Sequence, residues 1–249
     1  LSSEKPSHPS SVPGDIFATT HWTVVLAAGR RTEPQAQAAL EQLCRTYWFP
    51  LYAYVRRRGY PKEDAEDLTQ EFFHRFLTGH GLENLDGERG RFRAFLLAAL
   101  KHFLANEWDK SRCQKRGGGA TVLSLDWHDA DASFQVAAVN ELSPDQAFDR
   151  EWAVALLGKV LERLSEECAI AGKAAQFEQL KAALTTGKGE TSYAIVAINL
   201  QMEETAVRVA VHRLRKRYRQ LLRAEIANTL ADQGELEEEL RALFGAFSR

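Results

Sequence analysis

Residues 192–219 read SYAIVAINLQMEETAVRVAVHRLRKRYR. Tyr193 to Leu200 forms a short apolar segment, with Ile195, Val196 and Ile198 among small residues. Gln201-Met202 makes a tight connection, and a longer helix is predicted from Glu203 onward. Two helices joined by so short a turn give the pattern of a helix-turn-helix. Ala197 is small where the helices would cross, and Val207, Val211 and Leu214 recur at helical spacing as the inward stripe. The outward positions are Arg208, Val209, His212, Arg213, Arg215, Lys216 and Arg219. From Thr205 to Arg223 there are seven Arg or Lys and no acid. Any basic helix face can be plain solvated surface. Here it falls on the helix that would enter a major groove, where guanidinium forks pair with guanine edges and other cations hold phosphates. Gln201 stands where such turns often carry glycine, so a left-handed backbone there would cost about 1 kcal/mol.

Outward from this motif the chain keeps a helical character. Apolar residues recur three and four apart, with no sustained alternation of the kind strands need, which gives an all-α fold class. One composition break interrupts the pattern. Residues 117–145 open on Gly117-Gly118-Gly119 and carry Asp126, Asp129, Asp131, Glu141 and Asp145 with no Lys or Arg. Such a stretch marks a linker. Two small helical domains are therefore expected at 17–116 and 146–231, with a Ser- and Pro-rich disordered tail over 1–16 and a C-terminal extension over 232–249. That extension contains ELEEELRALFGAFSR, an amphipathic helix with Leu236, Leu240, Leu243, Phe244 and Phe247 on one side. It is expected to pack back on its own domain; the alternatives are that it covers the basic helix or binds a partner.

In the first domain a helix is predicted over about 36–58, stopped by Gly59-Tyr60-Pro61, since glycine supplies the exit and proline forbids continuation. A second runs from Lys62 to Leu77. Leu68, Phe72, Phe73, Phe76 and Leu77 make its buried stripe, and Glu63, Asp64, Glu66, Asp67, Gln70 and Glu71 crowd its early turns. A third is predicted over 92–116, with Trp108 as a core anchor and a basic far end at Lys110, Arg112, Lys115 and Arg116. Cations there also suit the helix dipole. The second domain opens with helices over about 144–169 and 174–185.

Composition excludes several classes. Net charge is −2, so distribution, not bulk charge, carries the nucleic-acid argument. Three cysteines in no paired spacing exclude a disulfide framework and fit a reducing cytoplasm. No metal-ligand spacing, phosphate-binding glycine loop or nucleophile elbow is present, so neither a cofactor nor an enzyme activity is expected. No apolar run is long enough to span a bilayer.

Three segments together resemble the sigma-70 family of bacterial RNA polymerase sigma factors, in its extracytoplasmic-function branch. YWFPLYAYVRRRGYPKEDAEDLTQEFFHRFL (47–77) resembles the core-polymerase-binding segment, and FRAFLLAALKHFLANEWDKSRCQKRGGG (92–119) the promoter-melting, minus-ten-reading helix. SYAIVAINLQMEETAVRVAVHRLRKRY (192–218) resembles the minus-thirty-five-reading helix-turn-helix. FLANEWDK and VAVHRLRKRYRQLLRAEIA are further similar to a sub-group abundant in planctomycetes. The resemblance implies a region 2-like domain, an acidic linker and a region 4-like domain, acting in transcription initiation. Asp64, Glu66, Asp67, Gln70 and Glu71 would dock a coiled coil of the polymerase's largest subunit. The loop from Asp86 to Phe92 would cradle an extruded base, and His102, Asn106, Lys110, Arg112, Lys115 and Arg116 would line the strand-separating helix. Asn106-Glu107 departs from the Asp-His pair often found there. Arg208, Val209, His212, Arg213, Arg215 and Lys216 would read the minus-thirty-five element. Implied partners are core polymerase (coiled coil and flap), promoter DNA and an anti-sigma factor. The implied setting is the cytoplasmic nucleoid, with no membrane and a monomer outside the holoenzyme. A stand-alone helix-turn-helix regulator is the alternative, which would leave the first domain without a role.

Overall fold

The computed structural model describes residues 34–77, 91–113, 142–185, 193–230 and 232–248. Helices α1 (Pro34–Arg57), α2 (Lys62–Leu77) and α3 (Phe92–Cys113) precede the glycine-rich and acidic segment. After it come α4 (Pro144–Ile170), α5 (Ala174–Leu180), α6 (Ala182–Thr185), α7 (Tyr193–Leu200) and α8 (Glu204–Ala227). A short 3-10 turn, Gln233–Glu235, then leads into α9 (Leu236–Gly245). The fold is all-α: the described residues contain no strand, and an antiparallel bridge between Arg91 and Leu230 is their one β-type contact.

Local chemistry sets the helix ends. Gly59, with φ of 95°, provides the left-handed exit from α1 that few other residues could adopt without strain. Ser143 caps α4 through a reciprocal box: its hydroxyl accepts from Gln146 N at 3.3 Å, and the Gln146 side chain accepts from Ser143 N at 2.9 Å. Pro144 follows at a first-turn position, where its missing N–H costs nothing. The single helix predicted over 174–185 is instead two, broken at Lys181.

The larger core is continuous across both groups of helices. Tyr47, Leu51 and Val55 of α1, Phe72 and Phe76 of α2, and Leu96 and Leu100 of α3 share it with Phe148, Trp152 and Leu156 of α4. Leu222 and Ile226 of α8 and Leu243 of α9 complete it. The α1–α4 face is the most extensive helix contact among the described residues. A smaller cluster holds the helix-turn-helix: Leu180, Ala183, Val196, Ala197, Val207 and Val211. Helix α8, at about 36 Å long, serves both clusters, its first half seated in the small one and its last turns in the large one. The two groups are thus clamped together, a point the sequence left open.

Two expectations about apolar side chains are corrected. Trp108 is 58% exposed and is not a core anchor: one turn beyond the buried Leu104, it lines an open groove with Tyr54, Arg58 and Tyr60. Phe244 and Phe247 are also exposed, although Leu240 and Leu243 on the same helix are buried. Helix α9 packs back on α4 and α8, as expected.

Where α9 returns, it brings a carboxylate to the start of α3. Arg93 donates from Nε to Glu239 Oε1 at 2.5 Å and from Nη2 to Oε2 at 3.2 Å. Its Nη1 donates to Asp149 of α4, and the guanidinium lies 4.6 Å from the centroid of the Trp152 ring. Glu239 is fully buried. Burial pushes the Asp149 carboxyl above the usual aspartate range, against the opposing pull of Arg93. A buried charge whose partner is deleted is strongly destabilising, so Glu239→Ala should cost about 3 kcal/mol in urea unfolding. Arg93→Met with Glu239→Leu should recover most of that loss.

Candidate nucleic-acid interface

The turn of the helix-turn-helix is closed by backbone geometry. Gln201 has φ of 52°, the one positive value at a non-glycine among the described residues, as its position in the motif requires. Met202 N donates to Ala197 O at 2.9 Å and Gln201 N to Ile198 O at 3.2 Å, which satisfies the carbonyls at the end of α7. Ala197 is buried at the crossing with Val207 and Val211, and Leu214 is partly buried, as expected.

On the other side of α8 stand exposed Arg208, Val209, His212, Arg213, Lys216 and Arg219. Arg208 is propped by Glu204 one turn earlier, at 3.1 Å from Nε and 2.6 Å from Nη2, and lies 5.4 Å from the Tyr193 ring centroid. Arg213, Lys216 and Arg219 have no ion-pair partner among the described residues. The remaining cations of the helix are committed to structure. Arg217 forms a double bond-pair with Glu167 of α4, at 2.7 and 2.8 Å, and holds that carboxyl below the usual range. Arg223 meets Glu237 of α9. Arg215 corrects the expectation of an outward side chain: it is half-buried and donates from Nε and Nη2 to Ala183 O, at 2.9 and 2.6 Å. Ala183 lies in α6, near the end of the described residues before α7, so this bond seats the recognition helix on the helices behind it.

In the amino-terminal group, Asp64 and Asp67 are exposed on α2, while Glu66, Gln70 and Glu71 are half-buried on its flanks. Glu71 pairs with Arg75 at 2.6 Å, and Arg75 reaches Glu107 of α3 at 2.7 Å, so the polar face of α2 is fixed relative to α3. Phe72, Phe73 and Phe76 are core, as the sequence indicates. On α3, His102 and Asn106 are exposed one turn apart. Lys110 and Arg112 lie on its last turns. Lys115 and Arg116, residues 86–90 of the expected base-cradling loop, and the linker up to residue 141 lie outside the described residues. Phe92, the last residue of that loop, is buried in the core.

One feature escaped the sequence reading. Tyr54, Arg58 and Tyr60 at the end of α1, Lys101, Leu104 and Trp108 on α3, and Asp145 of α4 line an aromatic and cationic groove of about 600 Å³. Lys101, Ala105 and Trp108 sit at helical spacing on one side of α3, a signal hidden by Trp108 falling in line with the apolar stripe.

Residues 44–113 match the family model for sigma-70 region 2. Over that span the chain is similar to sigma-70 region 2. The matched span runs from the middle of α1 to the end of α3, so it contains both the acidic face of α2 and the exposed face of α3. It supports a sigma-factor role in polymerase binding and promoter recognition. No curated protein and no solved structure matches the chain. Among the described residues, no helix is long and apolar enough to cross a membrane.

Two substitutions test the local geometry. Gln201→Gly should raise stability by about 0.5 kcal/mol, the relief of left-handed strain outweighing the added freedom of the unfolded chain; a urea melt reads the sign. Arg215→Ala should lower stability by about 1–2 kcal/mol by leaving a buried carbonyl without its donor.

Proposed function

We propose that the chain is a sigma factor of the extracytoplasmic-function branch, similar to a planctomycete-type sub-group. It binds core RNA polymerase, recognises minus-ten and minus-thirty-five elements and promotes strand separation. The carrying observation is the presence in one chain of a sigma-70 region 2 and a helix-turn-helix with an exposed basic face on its second helix.

In this reading Arg208, Val209, His212, Arg213 and Lys216 read the minus-thirty-five element in the major groove. Arg213 and Lys216 are the best supported, since neither is committed to a partner in the fold. Arg215 acts behind them as a positioning residue. Asp64, Glu66, Asp67, Gln70 and Glu71 dock a basic coiled coil of the polymerase. His102, Asn106, Lys110, Arg112, Lys115 and Arg116 act on the melting strand. Trp108 offers that strand a stacking face, and base–aromatic stacking contributes about 1–3 kcal/mol per base. The domain limits 17–116 and 146–231, cytoplasmic action at the nucleoid, a monomer outside the holoenzyme and control by an anti-sigma factor belong to the same reading. A stand-alone regulator is not favoured, because it gives region 2 nothing to do.

In vitro transcription from a genomic fragment library, with core polymerase alone or with the chain added, tests the assignment. New start sites sharing two spaced upstream motifs are expected. Absence of any polymerase association would leave the stand-alone regulator instead. Arg213→Ala should weaken binding to the upstream motif by about 1–3 kcal/mol and relax specificity at one base pair. Equal loss on all sequences would make Arg213 a phosphate contact. Asp67→Ala with Gln70→Ala should reduce holoenzyme assembly while leaving thermal unfolding unchanged.

A further inference from the structure

Arg208 differs from the other outward cations of α8 in being held. Its Nε and Nη2 both donate to Glu204 Oε1, at 3.1 and 2.6 Å, and its guanidinium lies 5.4 Å from the Tyr193 ring centroid. Two helices share that hold, since Glu204 opens α8 and Tyr193 opens α7. The Arg208 and Glu204 side chains are nonetheless 63% and 45% exposed, so the group faces solvent. Arg208 Nη1 and Glu204 Oε2 have no hydrogen-bond partner among the described residues. The guanidinium fork keeps the Nη1–Nη2 edge as a donor pair, with one acceptor oxygen beside it.

Stability alone does not require this arrangement. An exposed ion pair one turn apart contributes little in screened water, and Glu203 already places a negative charge at the helix start. Glu204 is also the one acid on the exposed face of α8, because the helix's other acid, Glu225, is buried and paired with Lys159. A carboxylate on a face that meets DNA opposes the phosphates of every sequence alike. That opposition is offset where the carboxylate accepts a hydrogen bond from a base, and in the major groove cytosine N4 is its usual donor.

Charge compensation then separates two roles on one helix. Arg213, Lys216 and Arg219, with no ion-pair partner among the described residues, keep their full attraction for phosphate. Arg208 has its charge offset by Glu204, which weakens that sequence-independent pull but leaves its directional donors in place. Held by carboxylate and ring, it also has less rotamer freedom to lose on binding.

Resting on the reading of α8 as the helix that enters the major groove, we propose that Tyr193, Glu204 and Arg208 form a preassembled base reader. Arg208 donates from Nη1 and Nη2 to O6 and N7 of a guanine. Glu204 Oε2 accepts from N4 of a cytosine no more than one step away, a limit imposed by the bond between the two side chains. Glu204 is thus a specificity-determining residue, and Tyr193 is a positioning residue that acts through Arg208.

The test is selection of duplexes from a randomised library by the full chain, alone and with core polymerase. Affinities for the selected motif and for an unrelated duplex are then measured at several salt concentrations. Selected sites should hold a guanine with a cytosine within one step. Arg208→Lys keeps the charge without the fork, and should abolish the guanine preference while binding to the unrelated duplex stays the same. Glu204→Gln should erase the cytosine preference and cut the ratio of motif to unrelated binding about tenfold. It should also steepen the salt dependence on the unrelated duplex by about one released ion, as Arg208 becomes free to meet a phosphate. Tyr193→Leu keeps apolar packing at the small core and should weaken the guanine preference several-fold with unrelated binding unchanged. Equal losses on both duplexes would make Tyr193 purely structural and remove it from the reader. An intact guanine preference in Arg208→Lys would make Arg208 a phosphate contact and overturn the proposal. An unchanged ratio and salt slope in Glu204→Gln would reduce the pair to a surface ion pair, with the same consequence. Selection of no motif in either condition would remove the reader altogether. A motif selected by a chain that never associates with polymerase would end the sigma assignment and spare the reader.

Discussion

The guanidinium of Arg93 is the constraint around which the described structure is arranged. A planar cation buried to this degree is tolerable only when its donors and its charge are both satisfied. Two residues far away in sequence meet that requirement: Asp149, at the start of α4, and Glu239, near the end of the chain. Trp152 closes the remaining face of the guanidinium. Each partner arrives on an amphipathic helix whose apolar side enters the same core, so satisfying one buried charge also sets the positions of α3, α4 and α9. The backbone bond from Phe92 N to Thr229 O, at 3.0 Å, repeats the connection at the end of α8.

Helix α4 translates that junction into function. Its inner face carries Phe148, Trp152 and Leu156 into the core, while its flanks meet α3 at one end and α8 at the other. Two surfaces assigned to different parts of a promoter are thereby held on one rigid support. Arg208, Arg213 and Lys216 of α8 and His102 and Asn106 of α3 remain exposed on that support.

Helix α8 divides its cations by partner. Arg215, Arg217 and Arg223 are bound to protein partners, whereas Arg213, Lys216 and Arg219 face outward without one among the described residues. The basic run in the sequence contains both kinds, because one helix face cannot be distinguished from its flanks until the neighbouring helices are in place. The same mixture explains Trp108. Its spacing puts it in line with Leu104 and the stripe before it, yet the indole is exposed beside a groove.

Local pattern determined much of this protein. The all-α class, the stop at Gly59, the extent of α2, the turn at Gln201 and the inward stripe of Val207 and Val211 were legible because each depends on residues a few positions apart. The polar face of α2 and the outward set led by Arg208 and Arg213 were legible for the same reason. What only the tertiary structure decided depends on residues distant in the chain. Arg93 is buried because Asp149 and Glu239 converge on it, Arg215 turns inward because a carbonyl of α6 awaits it, and Phe244 stays exposed although Leu243 beside it is buried. Periodicity states which face of a helix is apolar. It carries no information on where along that face a partner helix begins or stops, and burial is settled there.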